Sequence, residues 1–242
     1  MSGRKYLSVA HALREMLVAQ RWQVGERIPA ERALSEELGV PRATVREALI
    51  VLEVEGLLEV RHASGVYVCD AEPNQIPNTP ADLSPFELLR ARQVVESAIA
   101  ATAALSVRDE QIDEMRAALE LEERDIEDRR GSYEGDKRFH TLLAEATQND
   151  ALIATMGQLW SLRQASELWN RLHSRIFDDD YRRAWAADHN EILAAIEARD
   201  PESARAATWR HLGNVSRTLL ALSDPDAVPS TGKKSEWMAL AQ

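Results

Sequence analysis

Residues 85–222 limit the fold of this chain most strongly, because apolar residues recur there every three to four positions and Gly and Pro are rare. That periodicity is typical of amphipathic helices packed on a core. Asp200 and Pro201 separate the last two stretches as an N-cap and a first helical residue. The predicted helical stretches are 86–106, 109–130, 133–147, 151–177 (with a break near Gln164 left open), 181–198 and 201–222. This pattern predicts an all-α bundle over residues 85–223.

The first seventy residues predict a smaller domain of a different kind. Apolar spacing indicates three short helices, with Gly39 ending the second and Gly56 ending the third. Two β-prone runs follow, at 57–60 and 66–69, and Gly65 before the second run is suited to a positive φ. Two helices joined by a tight turn and followed by a hairpin form a winged helix-turn-helix, whose second helix enters the major groove of DNA. The predicted domain covers residues 4–70.

Composition limits how these domains are joined and where the protein works. Prolines concentrated in residues 71–84 indicate a linker, and residues 224–242 are predicted to be a flexible tail. The single cysteine, Cys69, excludes an internal disulfide, and no apolar run is long enough for a signal peptide or a membrane helix. These features predict a cytoplasmic protein with no membrane partner.

The net charge of −11 does not argue against DNA binding once it is divided along the chain. Residues 1–70 carry nine Lys and Arg against ten Asp and Glu, so the acidic excess is mostly C-terminal. Residues 1–46 hold eight basic and five acidic residues, a local positive excess that can face phosphates.

Arginines are placed where a winged helix-turn-helix would contact DNA. Arg42, Thr44 and Arg46 lie near the N-terminal end of the predicted recognition helix, and Arg32 lies on the preceding helix. An arginine at such a position can bind guanine O6 and N7 in bidentate fashion, or a phosphate. A charged helix end is more often a solvated surface, so this pattern alone leaves both interpretations open.

Three segments of this domain resemble the GntR family of bacterial transcription factors. They are 25–34 (GERIPAERAL), 41–49 (PRATVREAL) and 55–60 (EGLLEV). The resemblance implies a regulator that binds double-stranded operator DNA. The implied DNA contacts are Arg32, Arg42, Thr44, Arg46, His62 and Gly65. The family wing usually carries Gly-x-Gly, whereas this chain has Ala63-Ser64-Gly65, which leaves the wing's contact with the minor groove open.

Polar residues at inward positions of the predicted bundle indicate a second site. Asp136 and His140 are four residues apart and therefore share a helix face. His189 and His211 each align with apolar residues, so both point inward. Three imidazoles and a carboxylate suit a first-row transition metal. The alternative is three separate histidines, each satisfied by a hydrogen bond within the core.

The bundle also resembles the FCD-type ligand-binding domain of the FadR subfamily of GntR regulators. That resemblance implies an antiparallel bundle of six or seven helices. Many members bind zinc or a similar divalent ion through Asp-x-x-x-His on one helix and a His on each of two later helices. The matching positions are Asp136, His140, His189 and His211. The implied cofactor is a divalent transition metal, with zinc expected and nickel or manganese as alternatives.

A metal held by histidine and aspartate with an open position also resembles a hydrolase centre. Against an enzyme, the sequence offers no companion base on a loop and carries a complete DNA-binding module. The prediction is therefore a regulator and not an enzyme.

Further segments are similar to the UxuR and ExuR group of hexuronate-utilisation regulators. They are 85–93, 119–124, 144–149, 188–195 and 209–212. The similarity implies a homodimer that represses sugar-acid catabolism genes until a sugar-acid effector such as fructuronate, glucuronate or galacturonate binds. A hydroxy acid or an acyl-CoA is the alternative effector, and the residues alone do not distinguish a repressor from an activator.

Arg92, Arg163 and Trp169 are the candidate effector-binding residues. An arginine fork can hold the carboxylate of a sugar acid beside a metal, and an aromatic face can stack on sugar CH groups. For Arg92 the alternative is an internal ion pair with Glu96, four residues away, and for Arg163 it is an internal salt bridge. For the tryptophan the alternative is an ordinary core position.

Overall fold

The computed structural model describes residues 5–19, 21–61, 64–70, 83–128, 133–173 and 180–222. The fold is mostly α, with an N-terminal winged helix-turn-helix and a C-terminal helical bundle, as predicted. The elements are α1 (Lys5–Val18), α2 (Glu31–Leu38), α3 (Arg42–Val54), β1 (Leu58–Arg61), β2 (Gly65–Val68), α4 (Pro85–Ser106), α5 (Asp109–Glu127), α6 (Glu134–Ala146), α7 (Asp150–Ala165), α8 (Glu167–His173), α9 (Asp180–Glu197) and α10 (Pro201–Leu222).

The chain forms two compact units, and the first contains the winged helix-turn-helix. Its described residues come from 1–86, 166–176 and 219–242. Helices α1 and α2 pack on α3, and β1 pairs antiparallel with β2, placing Leu58 opposite Val68. Gly39 ends α2 in the left-handed region, at a φ of 63°, because a residue without Cβ adopts that conformation at little cost.

The first unit is built on an apolar core. Helix α3 buries an unbroken run from Val45 to Leu52, which explains why α1 and α2 both pack against it. The most buried apolar side chains of this unit include Tyr6, Leu13, Leu34, Val45, Leu49 and Leu52. Burial of each such side chain stabilises the fold by roughly 1.5–3 kcal/mol.

Helix α8 also belongs to the first unit and packs against α3. The predicted stretch 151–177 breaks at Ser166, between α7 and α8. The Ser166 hydroxyl accepts a hydrogen bond from the Trp169 backbone N–H at 3.0 Å, so it satisfies one of the free donors at the start of α8. The predicted C-terminal domain therefore contributes one short helix to the unit that holds the DNA-binding elements.

The second unit is the helical bundle, formed by described residues of 87–165 and 177–218. Helix α5 packs against α6 and α9, and α6 packs against α7. Apolar side chains from these helices meet in one core, which includes Met115, Phe139, Leu142, Trp160, Ile192 and Ile196. This core surrounds the buried polar residues described below.

Some predicted segments lie outside the described residues. The predicted tail 224–242 is outside them, and so is the predicted linker 71–84 apart from its last two residues. No described helix is both long enough and apolar enough to cross a bilayer.

Gly135 permits the close packing of α6 on α5. A Cβ at this position would lie 2.5 Å from the backbone N of Glu122, closer than real carbon atoms approach a backbone. Gly135→Ala is expected to lower the free energy of unfolding by about 1–3 kcal/mol, because the helices must move apart. Urea denaturation followed by circular dichroism measures the effect.

Gly157 on α7 is the matched control, since a Cβ there meets no atom within 4 Å. Gly157→Ala is expected to stabilise the protein by about 0.5–1 kcal/mol, because alanine loses less backbone entropy in a helix. Equal effects of the two substitutions would contradict the packing argument.

Candidate functional site

Three histidines from three helices of the second unit converge in its core. His140 lies on α6, His189 on α9 and His211 on α10, and none is more than 2% exposed. The Nε2 atoms of His189 and His211 are 3.0 Å apart, and one ring nitrogen from each histidine lies within 4.8 Å of the others. The bundle thus brings together residues separated by up to seventy-one positions, as predicted.

Asp136 completes the predicted set. One turn before His140 on α6, its Oδ1 lies 3.4 Å from His140 Nε2 and 3.7 Å from His189 Nε2. The carboxylate therefore faces the same nitrogens that face one another. All four predicted metal ligands occupy one place in the fold.

A layer of carboxylates lies behind the imidazoles, on the Nδ1 side of each ring. Glu122 Oε2 is 2.7 Å from His189 Nδ1, Glu96 Oε2 is 2.7 Å from His140 Nδ1, and Asp188 Oδ2 is 3.4 Å from His211 Nδ1. Sequence reasoning identified Glu96 only as a partner for Arg92 and missed the other two.

Glu122 carried a signal in the sequence. It lies four residues after Ala118 and four before Ile126, on the apolar stripe of α5. A carboxylate in an apolar stripe predicts a buried polar partner.

The electrostatics differ among the members of the cluster. Burial, together with His189, lowers the pKa of His211 to about 3, so its imidazole is neutral at pH 7. Burial opposes ionisation of Asp136, but His140 and His189 hold the pKa of this carboxyl below its usual range. Burial likewise opposes charge on His189, yet the Glu122 carboxylate raises its pKa, which favours the protonated ring. Because metal ions bind carboxylates and neutral imidazoles, Asp136 and His211 are shifted toward the binding form, whereas His189 would release a proton on binding.

Neither ring nitrogen of His140 makes a hydrogen bond to a described residue. Glu96 Oε2 lies 2.7 Å from its Nδ1 and Asp136 Oδ1 lies 3.4 Å from its Nε2, but neither contact has hydrogen-bond geometry. An unsatisfied buried polar atom costs roughly 1–3 kcal/mol, so such atoms are rare. Because Nε2 also lies within reach of the other two imidazoles, the residues present fit a divalent transition metal.

Arg92 and Arg163 lie beside the cluster and differ in their partners. Arg92 Nε donates to Glu96 Oε1 at 2.6 Å, so the predicted alternative of an internal ion pair is what the structure contains. Arg163 is nearly buried, and its guanidinium lies 4.8 Å from the ring centre of Trp160 and 4.9 Å from that of Tyr133. Asp136 interacts electrostatically with Arg163 and opposes the lowering of the arginine's pKa by burial.

Trp169 belongs to a different unit from this cluster. It lies on α8, in the first unit, whereas the histidines lie in the second. Its ring is buried among core residues, with an exposed fraction of 5%. The helix break at Ser166 separates Trp169 from α7, and its role in effector binding stays a prediction.

The predicted DNA contacts divide into exposed and buried arginines. Arg32 and Arg42 are accessible, with side chains 80% and 42% exposed. Thr44 is half-buried in the first turns of α3. Gly65 adopts a φ of 108°, as a tight hairpin requires, and His62 lies outside the described residues.

Arg46 departs from the prediction of a base-reading residue. It is fully buried, and its Nε donates to both carboxylate oxygens of Glu31, at 2.7 and 2.9 Å. A second guanidinium nitrogen donates to the Leu220 carbonyl. Sequence spacing correctly placed Arg46 on the recognition helix. Its side chain, however, points into the core, where it pairs with Glu31 of α2.

A winged helix-turn-helix together with a helical bundle defines a class, the DNA-binding transcriptional regulators. The family model described as "Bacterial regulatory proteins, gntR family" matches residues 5–68, and the FCD domain model matches residues 87–214. The chain belongs to the GntR family, with an FCD domain after its DNA-binding domain. It is a DNA-binding transcriptional regulator and not an enzyme.

Relatives support the same assignment over nearly the whole chain. The Uxu operon transcriptional regulator of Escherichia coli (strain K12) is 44% identical, over 93% of this chain and 90% of that protein. The Exu regulon transcriptional regulator of the same organism is 39% identical, over 92% and 87%. A solved structure titled for Lar, which controls the Listeria monocytogenes agr system, is 19% identical and covers 90% of this chain and 97% of that one. Its TM-score of 0.50 supports the fold alone.

Substitution of the exposed arginines is expected to change DNA affinity, whereas substitution of the buried one is expected to change stability. Arg32→Ala and Arg42→Ala are expected to weaken binding to a selected operator by roughly 5- to 150-fold, at unchanged stability, because each loss of a base or phosphate contact costs about 1–3 kcal/mol. Arg46→Ala is expected to lower the free energy of unfolding by about 3–5 kcal/mol, because it leaves Glu31 buried without its cation. Fluorescence anisotropy and urea denaturation measure the two quantities.

Arg21 is the control for the DNA measurement, since its exposed side chain pairs with Glu37 outside the reading helix. Arg21→Ala is expected to leave the preference for operator over random DNA unchanged. Full operator preference in Arg42→Ala would show that α3 is docked differently.

Proposed function

We propose that this regulator is a homodimeric repressor of sugar-acid catabolism genes that leaves its operator when a hexuronate binds beside a divalent metal. The convergence of Asp136, His140, His189 and His211 next to Arg163 carries the proposal. The names of the Uxu operon and Exu regulon relatives support the choice of genes and effector. A regulator of this kind works in the cytoplasm, where the chromosome is.

The donor set supports a first-row transition metal at this place. Three imidazole nitrogens and one carboxylate oxygen suit zinc, with nickel or manganese as alternatives. The missing hydrogen bond of His140 Nε2 favours a cation among these atoms. His189 Nε2 and His211 Nε2 form a mutual hydrogen bond at 3.0 Å without the ion, which brings both nitrogens to the same place. When bound, the metal would supply an electrophilic position for oxygen ligands.

Arg163 is the residue that we propose for the effector carboxylate. It is buried between Trp160 and Tyr133, and it interacts electrostatically with the ligand Asp136. A sugar acid presents a carboxylate and adjacent hydroxyls, and an arginine fork can hold the carboxylate in bidentate fashion. Arg92 is engaged by Glu96 and therefore has less capacity to bind a ligand.

The mechanism is a shift between two states of a dimer. A two-fold symmetric dimer presents two recognition helices to a palindromic operator. The effector shifts the equilibrium away from the DNA-binding state only as far as it binds the other state more tightly. Repression ends when the DNA-binding state becomes the minor one.

Metal analysis tests the proposed ligands. The purified wild-type protein is expected to hold about one zinc, nickel or manganese ion per chain, and His211→Ala is expected to retain less than half of it, because one of four ligands is lost. Plasma emission spectroscopy after exhaustive dialysis measures the stoichiometry. His11→Ala, at an exposed position on α1, is the control and should match the wild type. Equal metal content in the wild type and His211→Ala would remove His211 from the ligand set.

A thermal-shift screen tests the effector class. Glucuronate, galacturonate or fructuronate at millimolar concentration is expected to raise the melting temperature, since a ligand at 100 times its Kd stabilises by about 2.7 kcal/mol. Arg163→Met is expected to lose most of this shift, whereas Arg138→Met, at a half-exposed position on α6, should keep it. The same sugar acid should release the wild type from operator DNA in a mobility-shift assay.

The screen also includes aldonates, lactate and acyl-CoAs. A shift with lactate or an acyl-CoA and none with any sugar acid would replace the hexuronate proposal with the corresponding effector class. The DNA-binding assignment does not depend on that outcome.

A further inference from the structure

Each of the three buried imidazoles is contacted on its Nδ1 side by a carboxylate from a different part of the bundle. Glu96 lies on α4, Glu122 on α5 and Asp188 on α9, and their oxygens are 2.7, 2.7 and 3.4 Å from the respective Nδ1 atoms. Three independent helices thus repeat one arrangement. The repetition indicates a shared role and not three separate core ion pairs.

Burial makes this arrangement costly unless it has a function or a compensating charge. Glu96 is fully buried and Glu122 is 6% exposed. The effective penalty for burying one carboxylate is several kcal/mol. With Asp136, the three carboxylates carry four formal negative charges, and the neighbouring Arg92 and Arg163 offset two of them.

Hydrogen-bond geometry is present for His189 with Glu122 and for His211 with Asp188, while His140 Nδ1 and Glu96 Oε2 are close but not aligned. We propose that Glu96, Glu122 and Asp188 are positioning residues that each accept a hydrogen bond from an Nδ1–H when the metal is bound and so direct each Nε2 at it. This inference rests on the proposed metal site. It specifies the tautomer of all three histidines, because the nitrogen that donates to a carboxylate is not the one that binds the ion. The close approach of the Nε2 atoms of His189 and His211 agrees with that orientation.

Two of the carboxylates are themselves held in place. Arg92 Nε donates to Glu96 Oε1 at 2.6 Å, and Asn214 Nδ2 donates to Asp188 Oδ2 at 2.9 Å. Arg92 binds the Glu96 oxygen that does not contact His140. Asn214 binds the same Asp188 oxygen that contacts His211. Arg92 therefore acts through Glu96 on His140, which explains why an arginine is buried beside a metal site without contacting it.

Metal affinity of the full-length protein tests the inference. Glu122→Gln and Asp188→Asn are each expected to weaken Zn²⁺ binding 10- to 100-fold, because a neutral amide orients the imidazole less well and makes it less basic. Competition with a chromophoric zinc chelator measures the Kd. Glu123→Gln, at the exposed neighbouring position on α5, is the matched control and should keep the wild-type Kd.

Co²⁺ substitution separates positioning from a purely structural role. The visible d–d absorption of bound Co²⁺ reports ligand geometry, so it should change in Glu122→Gln and stay unchanged in Glu123→Gln. Arg92→Met should weaken Zn²⁺ binding in the same direction as Glu96→Gln, as expected if it acts through that carboxylate. Circular dichroism checks that each variant is folded, and Asp188→Asn, at the most exposed of the three carboxylates, is the variant least prone to unfold.

The outcomes distinguish this inference from the proposed function. Wild-type Zn²⁺ affinity and Co²⁺ spectra retained in folded Glu122→Gln and Asp188→Asn would overturn the positioning role and leave the metal site intact. A wild-type protein that binds neither Zn²⁺ nor Co²⁺ would overturn both. The inference is supported if the carboxylate variants bind Zn²⁺ more weakly and show altered Co²⁺ spectra, while Glu123→Gln behaves as the wild type.

Discussion

Pairing of buried imidazoles with buried carboxylates is the interaction on which the second unit depends. An apolar core excludes water, so a polar group inside it is costly unless it finds a partner within the protein. His189 on α9 reaches Glu122 on α5, and that contact fixes how each helix is rotated about its own axis. Gly135 supports the same geometry, because its missing side chain lets α6 approach α5 at Glu122 itself. The same contacts therefore pack the helices and place the residues of the site.

The first unit uses a buried ion pair for a different purpose. Glu31 on α2 holds Arg46 on α3, so the pair ties the two helices of the helix-turn-helix together. Arg42 remains accessible at the start of α3, with Arg32 exposed on α2. Because the overall charge of this domain is nearly balanced, sequence-specific binding relies on a few placed arginines and not on a broad basic surface.

The two arginines beside the histidine cluster illustrate how similar residues take different places. Arg92 is one turn from Glu96 on the same helix, so their ion pair forms locally and needs little further arrangement. Arg163 lies against the rings of Trp160 and Tyr133, and it interacts electrostatically with Asp136 on another helix. This position next to Asp136 is why Arg163 carries the effector proposal.

The sequence alone determined features that depend on local spacing. Helix periodicity, the Gly39 cap, the hairpin with Gly65, and the shared face of Asp136 and His140 all follow from residues within a few positions of one another. The inward direction of the later histidines also followed from periodicity. The family motifs were likewise readable as contiguous segments.

Only the tertiary structure decided which distant residues meet. Glu122 became the partner of His189, sixty-seven positions away, and Arg46 turned from the predicted DNA surface into an ion pair with Glu31. Trp169 lies in the first unit, because the helix that precedes it ends before Ser166. Periodicity states which face of a helix is buried, but it does not state which element covers that face, and the partners of buried charges depend on that covering element.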